Sequence, residues 1–309
     1  MPITHQTGAE ANLPDAIRHE LNWLLTTKPV WKSDAKNGFS VLADRFSVSV
    51  EDIADTLSNH WVWHGPPKRL GRRFEALLAG IFEAAENTTL LKQGLVIADG
   101  SQTLGELDYL VQIAESIIHF EVAVKFYAGI GLAESRTDLR HWVGPSCQDC
   151  LQRKITHLTT HQLPLVNTSV GRQQLRKHNL PNPTEQVGLI YGYLLHPWDQ
   201  PKAYPPGLKC ESPAFWCIHK DYSDALRHLI RPYGSDYGWT AVPRSLWIPT
   251  ARQAPDMPLL PKGLPKPEQA DCYALVSKAT PHIEKLRVFV MPDRFPISAT
   301  EFIQRGAQI

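Results

Sequence analysis

Between Leu104 and Phe126 the sequence reads LGELDYLVQIAESIIHFEVAVKF, two runs of alternating polarity joined by the polar Ala114-Glu115-Ser116. Side chains repeat every 3.6 residues in a helix and every two in a strand, so alternation of this length requires extended chain. Two such runs around a short link define a β-hairpin. On the first strand Glu106, Asp108 and Leu110 share one face, and Leu107, Tyr109 and Val111 share the other. On the second, His119, Glu121, Ala123 and Lys125 lie together, with Ile118, Phe120, Val122, Val124 and Phe126 behind them. A turn centred between Glu115 and Ser116 sets Asp108 opposite Ala123 and Glu106 opposite Lys125, with Glu121 diagonal to Asp108. Diagonal neighbours stand about 7–8 Å apart, close enough for two carboxylates to share one hard cation. A surface ion pair between Glu106 and Lys125 beside two solvated acids fits the same spacing.

Helical patterns flank the hairpin. From Lys68 to Glu86 the residues Leu70, Phe74, Leu77, Leu78, Ile81 and Phe82 form one apolar stripe, with Glu75 at its edge and turned toward the sheet. The first turns of that helix carry Lys68, Arg69, Arg72 and Arg73. Cations at a helix N-terminus oppose the macrodipole by roughly 0.3–1 kcal/mol each, so the cluster calls for anions. Backbone phosphates would serve; so would neighbouring acids, or apolar surface covered by the arginine stems. Leu90 to Ala98 reads as a strand, and Asp149 to Leu163 as a helix bearing Lys154 and His161. Earlier in the chain, helices are expected from Pro14 and from Phe46 to Asn59, the second capped by Ser49, and His60 to Pro67 reads as a turn. Helix, three strands and helix in succession make an α/β core. The sequence therefore divides into an N-terminal helical region (1–64), the α/β core (65–165) and a β-rich region (166–309) of short strands punctuated by prolines.

Composition narrows the function classes. The chain has 309 residues, 43% of them hydrophobic and 20% charged, ordinary values for a soluble globular protein. A formal net charge of +1 gives no global attraction to nucleic acid, so such a partner must be met by a local basic patch. No apolar run is long enough to span a bilayer and no basic-then-apolar leader follows Met1, so the expected location is cytoplasmic, with no membrane partner. Five cysteines, an odd number, fit a reduced compartment better than a disulfide framework. Cys147-x-x-Cys150 with His157 and His161 cannot close on one zinc if the helix between them is unbroken. In the last region Tyr191, Tyr193, Trp198, Tyr204, Trp216, Trp239 and Trp247 are candidates for core packing or for base stacking.

The segments RLGRRFE (69–75), TLGELDYLV (103–111) and FEVAVKFYAGIG (120–131), with the spaced Gly144, Lys154 and His161-Gln162-Leu163, resemble a bacterial family catalogued as domain of unknown function 1853. That family is similar to the PD-(D/E)XK nuclease-like superfamily. The resemblance implies a restriction-endonuclease-like core, a mixed sheet flanked by helices. It also implies Mg²⁺- or Mn²⁺-dependent hydrolysis of DNA or RNA phosphodiesters, or a catalytically inactive relative that binds nucleic acid or protein. Asp108 and Glu121 would be the metal ligands, Lys125 the lysine that orients water, and Glu75 the acid of the first core helix. Lys154 or Gln162 would be the polar residue of the following helix, and Arg69, Arg72, Arg73 and Lys154 the phosphate contacts. One departure stands out. The usual motif places a single residue between acid and lysine, about 6.6 Å apart on one face, whereas three separate Glu121 from Lys125 and Ala123 fills the customary acid position.

Overall fold

The computed structural model describes residues 15–33, 40–61, 67–208, 213–248, 268–279 and 284–306. Three helices open it: α1 (Asp15–Thr26), α2 (Val50–Trp61) and α3 (Leu70–Ala84), with the short strand β1 (Trp31–Lys32) between the first two. Ser49 caps α2 as its sequence suggests: its Oγ accepts from the Asp52 N–H at 3.1 Å, and the Asp52 carboxylate accepts from the Ser49 N–H at 3.3 Å. The α3 stripe is buried from Phe74 to Phe82, and the three helices form a layer over Tyr109, Val111, Phe120 and Tyr191 of the sheet. The turn expected at His60 to Pro67 lies mostly outside the described residues.

Strands β2 (Thr88–Asp99), β3 (Gln102–Ile113) and β4 (Ser116–Gly129) follow as an antiparallel meander, and β5 (Trp142–Val143) pairs with the far end of β4. Next comes a continuous helical segment, α4 (Leu151–His157), a π-helical turn (Leu158–Gln162) and the single turn α5 (Leu163–Leu165), and then α6 (Ser169–Lys177). Strands β6 (Glu185–Pro197) and β7 (Ala214–Ile218), helix α7 (Tyr222–Ile230), strands β8 (Tyr237–Val242), β9 (Asp271–Ser277) and β10 (Glu284–Met291), and helix α8 (Phe295–Gly306) complete the chain. All the strands join one mixed sheet in the order β2-β3-β4-β6-β7-β10-β9-β8, with β1 on β6 and β5 on β4.

β6 comes from the β-rich region, yet it pairs in parallel with β4 from Ile118↔Glu185 to Ala128↔Leu195. The sheet therefore runs without a break across residue 165. β6 is buried from Val187 to Pro197, and its apolar residues pack on both faces, as a central parallel strand requires. Gly192 holds φ +121° there, and a Cβ at that position would stand 1.9 Å from the Lys125 carbonyl oxygen. Tyr191, Tyr193, Trp239 and Trp247 are buried in the core.

The hairpin forms, in a register two residues away from the expected one. Its turn is Ala114-Glu115, with Ala114 at φ 49°, and the pairs run from Ile113↔Ser116 to Tyr109↔Phe120. Two central residues rather than an Ala-Glu-Ser link match a tight hairpin to strand twist. Extending this register by one pair brings Asp108 opposite Glu121 instead of Ala123. The ladder stops there, and β3 and β4 splay.

Candidate functional site

Where β3 and β4 part, side chains take over from the backbone ladder. Asp108 Oδ2 accepts from the Val122 N–H at 2.8 Å, and the Asp108 N–H points to Glu121 Oε1 at 3.4 Å. The two carboxyls thus sit at the apex of a V, each anchored to the opposite strand. Glu121 is fully buried. Three groups surround it: the Asp108 N–H, His119 Nε2 at 2.8 Å from Oε1, and Gln162 Nε2, which donates to Oε2 at 2.6 Å. An ionised carboxylate can only accept, so whenever Glu121 is charged the buried His119 takes the tautomer with hydrogen on Nε2. Gln162 is oriented in turn by Lys154, whose Nζ donates to its Oε1 at 2.9 Å and leaves the amide nitrogen for Glu121. The π turn at Leu158–Gln162 brings this glutamine back over the sheet eight residues after Lys154.

The electrostatics are those of an under-neutralised anion pair. Burial, then repulsion from Glu121, lifts Asp108 from 3.8 to about 7. Burial lifts Glu121 from 4.5 to about 8, against the hydrogen bonds and the Lys154 charge that lower it. Burial lowers His119 from 6.5 to about 4, so its ring is neutral and adds no compensating charge. Lys154 is likewise lowered, chiefly by burial and then by Lys125. Glu75 stands on α3 within electrostatic range of Asp108, half-exposed and raised mainly by desolvation. Its backbone carbonyl accepts from Tyr109 Oη at 2.8 Å, which ties α3 to the strand that carries Asp108.

Asp108, Glu121, Lys154 and Gln162 come together at the apex, with Glu75 beside them; Lys125 does not join them. Its Nζ pairs with Asp149 Oδ2 at 2.8 Å, the oxygen that also accepts from Tyr127 Oη at 3.1 Å. Four strand residues span about 13 Å, and Asp149 holds the lysine at the far end of that span. The pairing of Lys125 with Glu106 is therefore absent. Arg73 is a second correction: it is buried and salt-bridged through Nε to Glu20 Oε2 at 2.6 Å, an interaction that consumes the guanidinium inside the helical layer. Arg69 is exposed at the N-cap of α3, and the exposed Arg72 lies 3.7 Å from Glu75. Among the described residues no group of three or more His, Cys, Asp or Glu side chains is gathered as a metal site, and Cys147 and Cys150 are free thiols.

His119, Asp149 and Glu20 were not singled out from sequence. The period of two does place His119 on the Glu121 face, but Asp149 and Glu20 reach their partners only through tertiary packing. No helix among the described residues is long and apolar enough to cross a membrane.

The molecule is a mixed α/β protein with a buried carboxylate pair at the point where its central strands separate. Residues 19–286 match the family described as domain of unknown function DUF1853, and the chain belongs to that family. No curated protein and no solved structure matches it.

Proposed function

We propose that this protein is a metal-dependent phosphodiesterase acting on nucleic acid, with a nuclease-like core formed by α3, β2, β3, β4, α4 and β6. The observation that carries the reading is the confrontation of Asp108 and Glu121: two acids, held by opposite strands and short of neutralising charge, that repel each other unless a cation or protons intervene. The donors are hard oxygens, which suit Mg²⁺ or Mn²⁺. Magnesium commonly uses one or two carboxylates and fills its remaining positions with water and substrate phosphate, so a pair of acids suffices to hold it. A divalent cation held by Asp108 and Glu121 would supply a Lewis acid for a phosphoryl oxygen and would make water easier to deprotonate.

The chain's own residues do the rest. Asp108 and Glu121 fix the site, and His119 and Gln162 fix Glu121. Lys154, aimed by Gln162, takes the part that the strand lysine plays in related motifs and offers positive charge to the developing phosphorane oxygens. Glu75 borders the site from α3 and orients water. Arg69 contributes a phosphate contact.

Calorimetric titration of Mg²⁺ and Mn²⁺ into the wild type and the Asp108→Asn, Glu121→Gln double variant tests the reading, followed by cleavage assays on single- and double-stranded DNA and RNA. Metal binding that disappears in the double variant is expected. So is loss of turnover in Lys154→Met with metal binding kept. A wild type that binds neither metal, even with nucleic acid present, would sink the proposal. A second reading, a nuclease-like fold retained as a nucleic-acid-binding or protein-interaction module, draws on Ala123 and on the engagement of Lys125 by Asp149. It requires binding without cleavage, unaffected by chelators.

A further inference from the structure

Past Glu121 the edge of β4 that faces β3 has no partner strand among the described residues until β5 reaches Ala128 and Gly129. The gap is the floor of a groove. Three cavities lie along it in series, of about 520, 430 and 620 Å³. The first two share Val124, Phe126, Arg244 and Trp247; the second and third share Lys125 and Asp149. At one end Lys68 and Arg69 of the α3 entrance face Arg244, which lies over the Trp247 ring at 5.3 Å. Arg294, at the start of α8, lines the middle. At the other end stand Arg153 and Lys154, and Lys154 is the residue that reaches the carboxylate pair through Gln162.

The walls are basic in a chain of net charge +1. Their acids are Asp149, already neutralised by Lys125, and Glu268. Among the described residues, Lys68, Arg69, Arg153 and Arg294 have no carboxylate within ion-pair distance. Between the cations the floor is apolar, built from Val124 and Phe126, with the buried Trp247 ring beneath Arg244. Each cavity has the size of a small-molecule site, and the slot is the space left by one absent strand, so a duplex is too thick for it. A ligand that matches must be thin, must repeat negative charge along its length and must carry flat apolar groups between the charges.

We infer that this groove binds a single strand of nucleic acid, and that Arg244 and Arg294, from the C-terminal half of the chain, form its outer wall. The inference rests on the proposed function for its direction, since Lys154, at one end of the groove, is linked through Gln162 to Glu121. The C-terminal half thereby acquires a role, which is to hold the strand. Phosphates lie against the arginines and bases over the apolar floor, giving affinity without base readout.

The test is fluorescence anisotropy with a labelled single-stranded 12-mer, the same sequence as a duplex, and inorganic polyphosphate of matched length, all in EDTA so that no cleavage intervenes. Wild type is expected to bind the single strand at least about tenfold tighter than the duplex or polyphosphate. Arg244→Ala with Arg294→Ala is expected to weaken that binding about tenfold or more and to flatten the salt dependence by about 1.4 in log–log slope, two contacts at about 0.7 each. Because Arg244 covers Trp247, the pair Lys68→Glu and Arg294→Glu provides a second variant that leaves the ring covered, with loss of binding again expected. Unchanged affinity and slope in both variants would overturn the groove, as would equal binding of duplex or of polyphosphate. The two readings fail separately. Metal binding lost in Asp108→Asn with groove variants like wild type removes only the groove, and strand binding through Arg244 and Arg294 without any metal binding removes only the phosphodiesterase.

Discussion

Replacing Asp108 with asparagine should stabilise the metal-free protein at alkaline pH, the opposite of the usual effect of altering a half-buried polar residue. Asparagine keeps a carbonyl oxygen for the Val122 N–H and removes the charge that opposes Glu121. The folded-state value of Asp108 is raised from 3.8 to about 7 and that of Glu121 from 4.5 to about 8. Groups raised in this way contribute stability that is fully present below their unfolded values and lost as pH rises through the folded ones. The metal-free wild type should therefore lose this contribution progressively between about pH 4 and pH 8. At about 1.4 kcal/mol per tenfold change in proton affinity, the Asp108 displacement corresponds to roughly 4 kcal/mol, and relaxation and water entry at the open apex reduce it to about 2–3 kcal/mol. For a protein of this size that is about 4–9 °C in Tm. Thermal or urea unfolding of both proteins in EDTA, at steps from pH 4.5 to 9, gives the difference directly; titrations common to both, including that of His119, largely cancel. The variant and wild type should lie closest at the acid end, separate progressively up to about pH 7 and keep a constant gap above it. Saturating Mg²⁺ should then raise the wild type by about 2.7 kcal/mol at a hundred times Kd and leave the variant unmoved. A variant less stable than wild type at pH 8.5, or a gap independent of pH, would refute the account of the pair as mutually repelling acids.

Other consequences follow from contacts elsewhere. Arg73→Ala strands Glu20 without its partner inside the helical layer and should cost about 3–5 kcal/mol in urea unfolding, with oligonucleotide affinity per folded molecule unchanged. Lost affinity with intact stability would return Arg73 to the phosphate contacts. Gly192→Ala places a methyl against the Lys125 carbonyl at a positive φ and should destabilise by more than about 2 kcal/mol, or fail to fold, by the same measurement. Lys125→Met should cost about 1 kcal/mol or less, because its pair with Asp149 is partly exposed, and should leave the Mg²⁺ affinity within twofold by calorimetry.

Local periodicity carried much of the fold. The α3 stripe, the alternation in β3 and β4, and the capping box at Ser49 are properties of consecutive residues, and each produced the element it specified. The register of the hairpin is not local in the same way. Ala114 adopts a left-handed backbone that glycine or asparagine would have advertised, and without such a residue the polar Ala-Glu-Ser allowed a turn centre one residue too late. A one-residue displacement of the turn centre shifts every cross-strand pair by two, which preserves the faces and changes the partners. For that reason the acids were placed on the right strands with the wrong neighbours. The joining of β6 to β4, across what reads as a change of texture near residue 165, was invisible because parallel pairing leaves no mark of its partner in sequence.

The lysine shows how the same limits bear on function. Spacing along one strand makes Lys125 the natural companion of Glu121, because strand geometry relates residues of like parity. The folded chain engages Lys125 with Asp149 and brings Lys154 in from the helix through Gln162. Glu121 thereby gains a cation through a planar amide whose two ends are fixed, the oxygen by Lys154 and the nitrogen by Glu121. If the amide is the coupling element, Gln162→Leu should leave Lys154 in the protein and unaimed. On the proposed phosphodiesterase reading, turnover should then fall by about 10²-fold, the usual scale for one misplaced electrostatic group, while Mg²⁺ affinity shifts little. Gln162→Glu should do worse than leucine, because it adds a third carboxylate against a pair already short of positive charge, and its defect should ease as pH falls. If leucine and glutamate are equally impaired at every pH, Gln162 acts by filling space and does not aim Lys154.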